Sequence, residues 1–248
     1  MTVDSIEHEL TKDLKDEARV DYLTNLASIL LRVDTVKSKN YAIEALELSQ
    51  KIDYQKGEIL SLNWFARYYT EIGRLDTALL ILDQITSNKE AENQHAVAQA
   101  YVSMGNILDI NGSYAEALEA YFMSDSIFSQ LGDLGGMGSA TMGIGNIYQL
   151  NNRHEEAIVY FRKSANCLMA AKSPYASWSL NNMAEAMESL EMYDSAAFYF
   201  NKSLLMKEEV GDFYGASYTY TNLGNLAERR EEYGKAEFYY QKALDILK

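Results

Sequence analysis

The chain repeats a short pattern with a period of about forty residues. Each copy has an aromatic ring, an alanine three residues later and a second aromatic ring four residues further on; the clearest copies begin at Tyr114, His154, Tyr193 and Tyr233. With two weaker copies upstream, the alanines of the pattern are Ala42, Ala78, Ala117, Ala157, Ala196 and Ala236. Their separations are 36, 39, 40, 39 and 40 residues. This regularity indicates a repeat architecture, in which each unit packs against its neighbours.

Two further signatures keep the same period. Twelve residues before most of the alanines stands a small residue followed by a polar one; the copies are Gly105-Asn106, Gly145-Asn146, Gly224-Asn225 and, more loosely, Ala184-Glu185 and Ala66-Arg67. Between repeats, the segment that starts at Gly132-Asp133 matches the one that starts at Gly211-Asp212, and Ile52-Asp53 occupies the same place earlier. The three signatures together divide every repeat into the same parts.

Each repeat is predicted to be two amphipathic helices, because apolar residues flank both the small residue and the alanine at spacings of three and four. Glycine in a helix costs about 1 kcal/mol relative to alanine, so Gly105, Gly145 and Gly224 indicate a close approach of the paired backbones. The second rings of the pattern are predicted to fill the gap between one helix pair and the next; they are Tyr121, Phe161, Phe200 and Tyr240.

The predicted fold is therefore all-α, a right-handed α-solenoid of about six antiparallel helix pairs. A single proline, Pro174, also favours long helices over the many turns of an all-β fold. We expect one domain over residues 1–248, with repeats at approximately 16–52, 53–91, 92–131, 134–171, 174–210 and 213–248.

On these residues the chain resembles the tetratricopeptide repeat family, from about Tyr22 to Lys248. That family has a period of about 34 residues, so repeats of 39 or 40 residues indicate longer helices. They resemble the extended repeats of peptide-sensing regulators, scaffold proteins and kinesin light chains. The opening of the chain, an acidic helix followed by 22–27 and 41–48, resembles the sensory region of Bacteroidetes-type histidine kinases and nucleotide cyclases.

The charge of the chain restricts its partners. The net charge is −14 and the sequence pI is about 4.7, so the chain repels nucleic acid and anionic lipid. A neutral or basic protein or peptide is the expected partner, although acidic residues also keep a helical surface soluble. No apolar stretch is long enough for membrane insertion. One cysteine, Cys167, excludes an intrachain disulfide, and the compartment stays open between cytoplasm and periplasm.

A binding groove is predicted on the first helices of the pairs, because the resemblance implies that they line the concave surface of the stack. The candidate ligand-binding residues are Asn63, Arg67, Gln99, Asn106, Asp109, Asn146, Gln149, Trp178, Asn181, Glu185, Tyr218, Asn225 and Glu228. Asn106, Asn146 and Asn225 recur at equivalent steps. The resemblance implies that such asparagines bind the backbone of an extended peptide, since an amide side chain both donates and accepts. They also simply follow the small residue of the repeat pattern, and both interpretations stay open.

The charges of the predicted groove favour a neutral, aromatic or basic ligand. Family members that clamp a C-terminal carboxylate use lysine and arginine on the first helices, whereas the corresponding steps here hold Gln99, Ser139, Trp178 and Tyr218. The acidic groove residues, with Glu188 added, outnumber the one cation, Arg67. Trp178 and Tyr218 are expected either to stack on a ligand side chain or cation, or to be buried against the next repeat.

The sequence offers no catalytic constellation, so we expect no enzyme, no metal and no cofactor. His8, His95 and His154 are far apart in the repeat, and His154 occupies the place of tyrosines. Cys167 has no neighbouring cysteine or histidine and is expected to pack as a small apolar residue. The glycines of 136–145 lack the preceding strand that a phosphate-binding loop requires.

The predicted function is binding: a protein- or peptide-binding module, serving as the sensory or assembly region of a larger bacterial signalling protein. The alternative is a scaffold for homodimerisation without a peptide ligand. In that case the last helix pair associates with a second copy or continues into a further segment through Tyr233, Phe238, Leu244 and Leu247.

Overall fold

The computed structural model describes residues 3–87 and 93–247, in which thirteen α-helices and no strand are found. The first seven helices are α1 (Val3–Leu10), α2 (Asp16–Leu30), α3 (Thr35–Lys51), α4 (Gln55–Glu71), α5 (Leu75–Thr86), α6 (Gln94–Ile110) and α7 (Tyr114–Leu131). The others are α8 (Leu134–Leu150), α9 (His154–Ala170), α10 (Ala176–Ser189), α11 (Tyr193–Glu209), α12 (Phe213–Arg229) and α13 (Tyr233–Asp245). None of these helices is both long enough and apolar enough to span a bilayer.

After α1, the helices follow the predicted repeat. Each repeat contributes a first helix (α2, α4, α6, α8, α10, α12) and a second helix (α3, α5, α7, α9, α11, α13). The six alanines that define the period all lie on second helices and are at most 3% exposed, as close packing of small residues requires. The predicted all-α helical-repeat fold is confirmed.

The chain divides into two compact units, Met1–Ser113 (unit 1) and Tyr114–Lys248 (unit 2). The single domain over 1–248 and its repeat limits stay predictions, and residues 1, 91, 92 and 248 of those limits lie outside the described residues. In unit 1, α2 packs on α3 and α4, and α4 packs on α5 and α6. The core of unit 1 includes the buried Trp64, whose Nε1 donates to the carbonyl oxygen of Ala27 at 2.8 Å.

Unit 2 contains the strongest copies of the repeat. Each helix from α7 to α13 packs on the next, and the first helices also contact one another, α8 with α10 and α10 with α12. The core includes the period alanines Ala157 and Ala196, the rings of Phe161 and Phe200, and apolar residues such as Leu180. The contacts between first helices place their outward-facing polar residues side by side.

Gly145 and Gly224 have a different role from the one predicted for the helix glycines. A Cβ on Gly145 would lie 2.6 Å from Cδ1 of Phe161, and a Cβ on Gly224 would overlap the ring of Tyr240. The close approach is therefore between a glycine backbone and an aromatic ring of the paired helix, rather than between two backbones. The rings of Phe161 and Tyr240 lie inside their own helix pairs, and Phe161 and Phe200 also join the core shared with the neighbouring pair. Tyr121 lies against Gly143 on the first helix of the next pair, as predicted.

The glycine–aspartate signature ends one helix and begins the next. Gly132 and Gly211 have φ of 67° and 72°, the left-handed conformation that glycine adopts without a steric penalty. The following Asp133 and Asp212 cap α8 and α12, each accepting from the backbone N–H three residues later at 3.0 and 2.8 Å. Five other turns use a non-glycine residue at positive φ; they are Asp53, Asn152, Lys172, Glu191 and Glu231.

Candidate functional site

A polar cleft lies across the first helices of unit 2. Its volume is about 450 Å³, and its lining residues are Gln149, Glu185, Glu188, Ser189, Tyr218, Asn222, Asn225, Glu228 and Arg229. These residues come from α8, α10 and α12. On α12 they recur at spacings of three and four, which places them on one helix face. The name polar cleft is used below for this set of residues.

Glu185 is the centre of the hydrogen bonds in the polar cleft. Its Oε1 accepts from Nδ2 of Asn181 at 2.7 Å, from Nδ2 of Asn222 at 2.7 Å and from the hydroxyl of Tyr218 at 3.0 Å. Its Oε2 accepts from Nε2 of Gln149 at 3.5 Å. Donors from three helices therefore hold one carboxylate in a fixed position and spread its charge.

Glu188, the second acidic residue of the cleft, is paired. Nε of Arg229 lies 2.8 Å from Oε1 of Glu188, which is only 9% exposed. Burial raises the pKa of the Glu188 carboxyl, and the nearby Arg229 opposes that shift. The cleft is thus less acidic than the sequence predicted, because Arg229 was not among the candidate groove residues. Glu228 at the rim is exposed.

Trp178 and Tyr218 form an aromatic wall next to Glu185. Their rings stack with centroids 6.0 Å apart and an interplanar angle of 28°. Nζ of Lys207, on α11, lies 4.0 Å from the Trp178 ring centroid. Trp178 is half-buried and Tyr218 is 43% exposed, so Tyr218 presents its ring and hydroxyl to the cleft while Trp178 also contacts an internal cation.

Asn181 was predicted to line the groove, but the structure places it inside unit 2. Its side chain is 0% exposed, and its Oδ1 accepts from Oγ1 of Thr219 at 3.1 Å while its Nδ2 donates to Glu185. The reason is that α12 packs on α10 and places Thr219 and Asn222 against this side chain. Asn181 therefore supports the cleft from behind instead of facing a ligand.

The predicted asparagine ladder is irregular. In unit 2, Oδ1 of Asn146 accepts from Nδ2 of Asn182 at 3.0 Å, whereas Oδ1 of Asn225 accepts from the hydroxyl of Tyr240 at 2.9 Å. Of these, Asn225 lines the polar cleft. Asn106 is exposed on α6 of unit 1. Equivalent places in the repeat thus have different partners, and the ladder as a peptide-binding device stays a prediction.

Unit 1 has a smaller cleft of its own, of about 270 Å³. It is lined by Arg32, Arg67, Thr70, Glu71, Gln99, Ser103, Asn106, Ile107 and Ile110. It brings together three of the predicted groove residues, Arg67, Gln99 and Asn106. Asn63 is not among them, and its Nδ2 donates to the carbonyl oxygen of Ala96 at 3.2 Å. Asp109 is not among them either, and burial raises the pKa of its carboxyl.

The sequence predictions missed five polar residues in or beside the polar cleft: Ser189, Thr219, Asn222, Lys207 and Arg229. A signal exists for two of them in the repeat register. Lys207 lies eleven residues after the alanine of its repeat, where earlier repeats have Phe128 and Leu168. Arg229 lies five residues after Gly224, where earlier repeats have Ile110 and Leu150. A charged residue at an apolar step of a repeat marks a local departure from the common packing.

The histidines and the cysteine stay outside these clefts. His8, His95 and His154 lie on three different helices, α1, α6 and α9. The Cys167 thiol is partly buried, and burial raises its pKa, which reduces its nucleophilic thiolate form.

Fold and cleft together define a helical-repeat protein whose repeats expose polar faces on their first helices. Residues 136–209 match one tetratricopeptide repeat family and residues 217–246 match a second family of the same repeat. Over these residues the chain therefore consists of tetratricopeptide repeats. Its fold is generally non-catalytic. A comparison with curated proteins finds no match.

Solved structures of similar fold cover nearly the whole chain. A Rap protein in complex with competence and sporulation factor is 18% identical over 98% of this chain and 69% of its own, with a TM-score of 0.70. The apo form of the quorum sensor NprR from B. thuringiensis is 18% identical over 92% of this chain and 65% of its own, with a TM-score of 0.75. BtubC from P. vanneervenii is 18% identical over 94% and 91%, with a TM-score of 0.60. At these identities the likeness is one of fold.

Proposed function

We propose that this chain binds a protein or an extended peptide segment in the polar cleft of unit 2, and that it binds rather than catalyses. The observation that carries this proposal is the convergence of donors and acceptors from α8, α10 and α12 around Glu185. Successive first helices offer these groups at successive steps of the repeat. A ligand chain that runs across the helices would meet them one after another.

The similar structures support a protein-binding repeat module. One of them is in complex with a factor, and another is a quorum sensor. By analogy of fold, this chain serves as the sensory or assembly region of a larger bacterial signalling protein. The resemblance of its opening to the sensory regions of histidine kinases and nucleotide cyclases is part of this proposal and rests on the sequence alone.

The ligand segment is neutral or basic. The polar cleft contains three carboxylates, those of Glu185, Glu188 and Glu228, against the guanidinium of Arg229. Since Arg229 is paired with Glu188, an acidic ligand would find no unpaired cation among the described residues of the cleft. The net charge of −14 also disfavours nucleic acid.

The test is a selection from a library of short random peptides displayed on phage, followed by calorimetry with the selected peptides. We expect selected sequences to contain lysine or arginine with few acidic residues, and their binding to weaken when Tyr218→Ala or Glu228→Lys is introduced. Asn166→Ala is the matched control, because Asn166 is an exposed asparagine on α9, outside the polar cleft. Selection of acidic peptides, or equal binding by all variants, would contradict the proposal.

A second candidate function is homodimerisation through α13. Tyr233, Phe238, Leu244 and Leu247 are 68%, 55%, 62% and 58% exposed, an apolar surface of the kind that marks interaction sites. Sedimentation velocity tests it. A dimer that dissociates on Phe238→Glu with Leu244→Glu supports the scaffold, and a monomer at all concentrations excludes it.

A further inference from the structure

Lys207 departs from the pattern of the repeats. Its position in the repeat corresponds to those of Phe128 and Leu168, which are buried and apolar. Lys207 is itself 0% exposed. An ammonium group out of contact with water destabilises a fold unless it is compensated. Methionine or leucine would satisfy the packing at this step as they do in other cores. A lysine here therefore requires an explanation other than packing.

The contacts of Lys207 lead toward the polar cleft. Its Nζ donates to Oγ1 of Thr219, on α12, at 2.9 Å and lies 4.0 Å from the ring centroid of Trp178, on α10. Among the residues that the structure describes, it forms no ion pair. Its charge is thus stabilised by a ring face and a hydroxyl, both of which belong to helices that line the cleft.

A directed chain of hydrogen bonds connects the buried ammonium to the cleft carboxylate. Thr219 accepts from Lys207, and its one hydroxyl hydrogen is shared between Oδ1 of Asn181 and the carbonyl oxygen of Gly215, each 3.1 Å from Oγ1. Nδ2 of Asn181 in turn donates to Oε1 of Glu185 at 2.7 Å. Every donor in this chain points from the cation toward the anion, an arrangement in which neighbouring hydrogen bonds strengthen one another.

We propose that Lys207 is the positioning residue of the polar cleft: its ammonium group fixes the Trp178 ring and, through Thr219 and Asn181, the carboxylate of Glu185. The cleft then presents a preformed set of acceptors instead of one that must be ordered when a ligand arrives. The claim about ligands rests on the proposed function, but the arrangement itself is testable without any ligand.

The variant that tests this is Lys207→Met, which keeps an unbranched side chain up to the ε carbon and removes the ammonium group. Leu168→Met is the matched control, because it places the same residue at the same step of the preceding repeat. Both variants are expected to fold, since this step is apolar in the earlier repeats. A loss seen only in Lys207→Met is then a consequence of the missing ammonium group.

The first readout is the ligand-free nuclear magnetic resonance spectrum of the whole chain. In Lys207→Met we expect the indole N–H signal of Trp178 and the side-chain amide signals of Asn181 and Asn222 to move, while Leu168→Met leaves them in place. The wild-type Trp178 signal should also titrate near the pKa of Lys207, which burial lowers to about 8, and this titration should vanish in Lys207→Met.

The charged groups that face Lys207 are Glu185 on α10 and Asp212 at the start of α12, and both favour its protonated form. The tyrosine that faces the same region from α12 is Tyr218, whose pKa is raised by burial and by Glu185. Tyr218 therefore titrates at higher pH than Lys207, and the two transitions are separable.

The second readout is binding of the blocked tripeptide acetyl-Ala-Arg-Ala-amide, followed by the same signals. Affinity should fall by about tenfold in Lys207→Met and stay unchanged in Leu168→Met. If the wild type does not bind this probe, the proposed preference for a basic ligand fails, and the ligand-free spectra still decide the role of Lys207. Unmoved Trp178, Asn181 and Asn222 signals in Lys207→Met would overturn the positioning role.

Discussion

Nζ of Lys207 lies 4.0 Å from the centroid of the Trp178 ring, with the lysine wholly out of contact with solvent. The two residues are on neighbouring helices of unit 2, α11 and α10. A buried cation against a ring is weaker compensation than a carboxylate at hydrogen-bonding distance. The buried ammonium group of Lys207 therefore lowers the free energy of unfolding, and the size of this effect depends on pH.

The first prediction concerns the pH dependence of unfolding. Burial lowers the pKa of Lys207 from 10.5 to about 8, so at pH values between these the unfolded lysine holds a proton that the folded one has released. The free energy of unfolding should then increase as the pH rises through this interval, by about 3 kcal/mol in total. Urea unfolding at about pH 7 and about pH 9.5 should show the increase in wild type and in Leu168→Met.

The same experiment distinguishes Lys207→Met. This variant should lack the lysine-dependent increase, and at about pH 7 it should be more stable than wild type by up to about 3 kcal/mol. If wild type and Lys207→Met change equally between the two pH values, Lys207 keeps an ordinary pKa and its contacts differ from those described.

The second prediction concerns the glycine at the centre of α8. Gly145→Ala would place a methyl group 2.6 Å from the buried ring of Phe161, and the resulting overpacking should destabilise unit 2 by about 1–3 kcal/mol despite the higher helix propensity of alanine. Gly234→Ala in α13 is the control, because nothing lies within 4 Å of its added Cβ. Thermal unfolding should show a loss for the first variant and a gain of up to about 1 kcal/mol for the second. Similar effects at both glycines would contradict the packing of Phe161 on Gly145.

The third prediction distinguishes two asparagines that the sequence placed in the same groove. Asn181 is fully buried with partners on both sides of its amide, so Asn181→Ala should cost about 1–3 kcal/mol by leaving Thr219 and Glu185 short of a partner. Asn225 is exposed at the cleft, so Asn225→Ala should change stability by less than about 0.5 kcal/mol. Chemical unfolding measures both values. Equal losses of unfolding free energy in the two variants would contradict a structural role for Asn181 and an exposed position for Asn225.

The sequence predicted the repeat because packing imposes the same small residue at every step. Ala157 and Ala196 are conspicuous at a distance of 39 residues, since each must fit between helices. The polar cleft was only partly predictable for the opposite reason. Asn181 and Glu185 are one helical turn apart on α10, so the sequence places both on the same helix face. In the structure α12 packs on α10 and buries Asn181 more than Glu185, and the repeat pattern does not predict this difference.

Charged residues at repeat positions that are apolar in the other copies were also not predicted. The repeat pattern does not predict Lys207 and Arg229, because it consists of the residues that its copies share. Both residues depart from the shared pattern. Arg229 pairs with Glu188 of the polar cleft, and Lys207 donates to Thr219, which lies behind the cleft. A search for polar residues at the steps where other repeats are apolar would have identified them, although it would not have given their partners.

The fourth prediction concerns the turns between helices. Glu191 lies in the turn after α10 and has a φ of 59°, a left-handed conformation that costs about 1–2 kcal/mol for a residue with a side chain. Glycine adopts it without that penalty but loses more backbone entropy on folding, so Glu191→Gly should stabilise unit 2 by about 0.5–1 kcal/mol. Gly211, at a φ of 72° between α11 and α12, is the reciprocal control, and Gly211→Ala should destabilise by about 1 kcal/mol. The two melting temperatures should therefore move in opposite directions, and a gain for Gly211→Ala would mean that this turn relaxes away from the left-handed conformation.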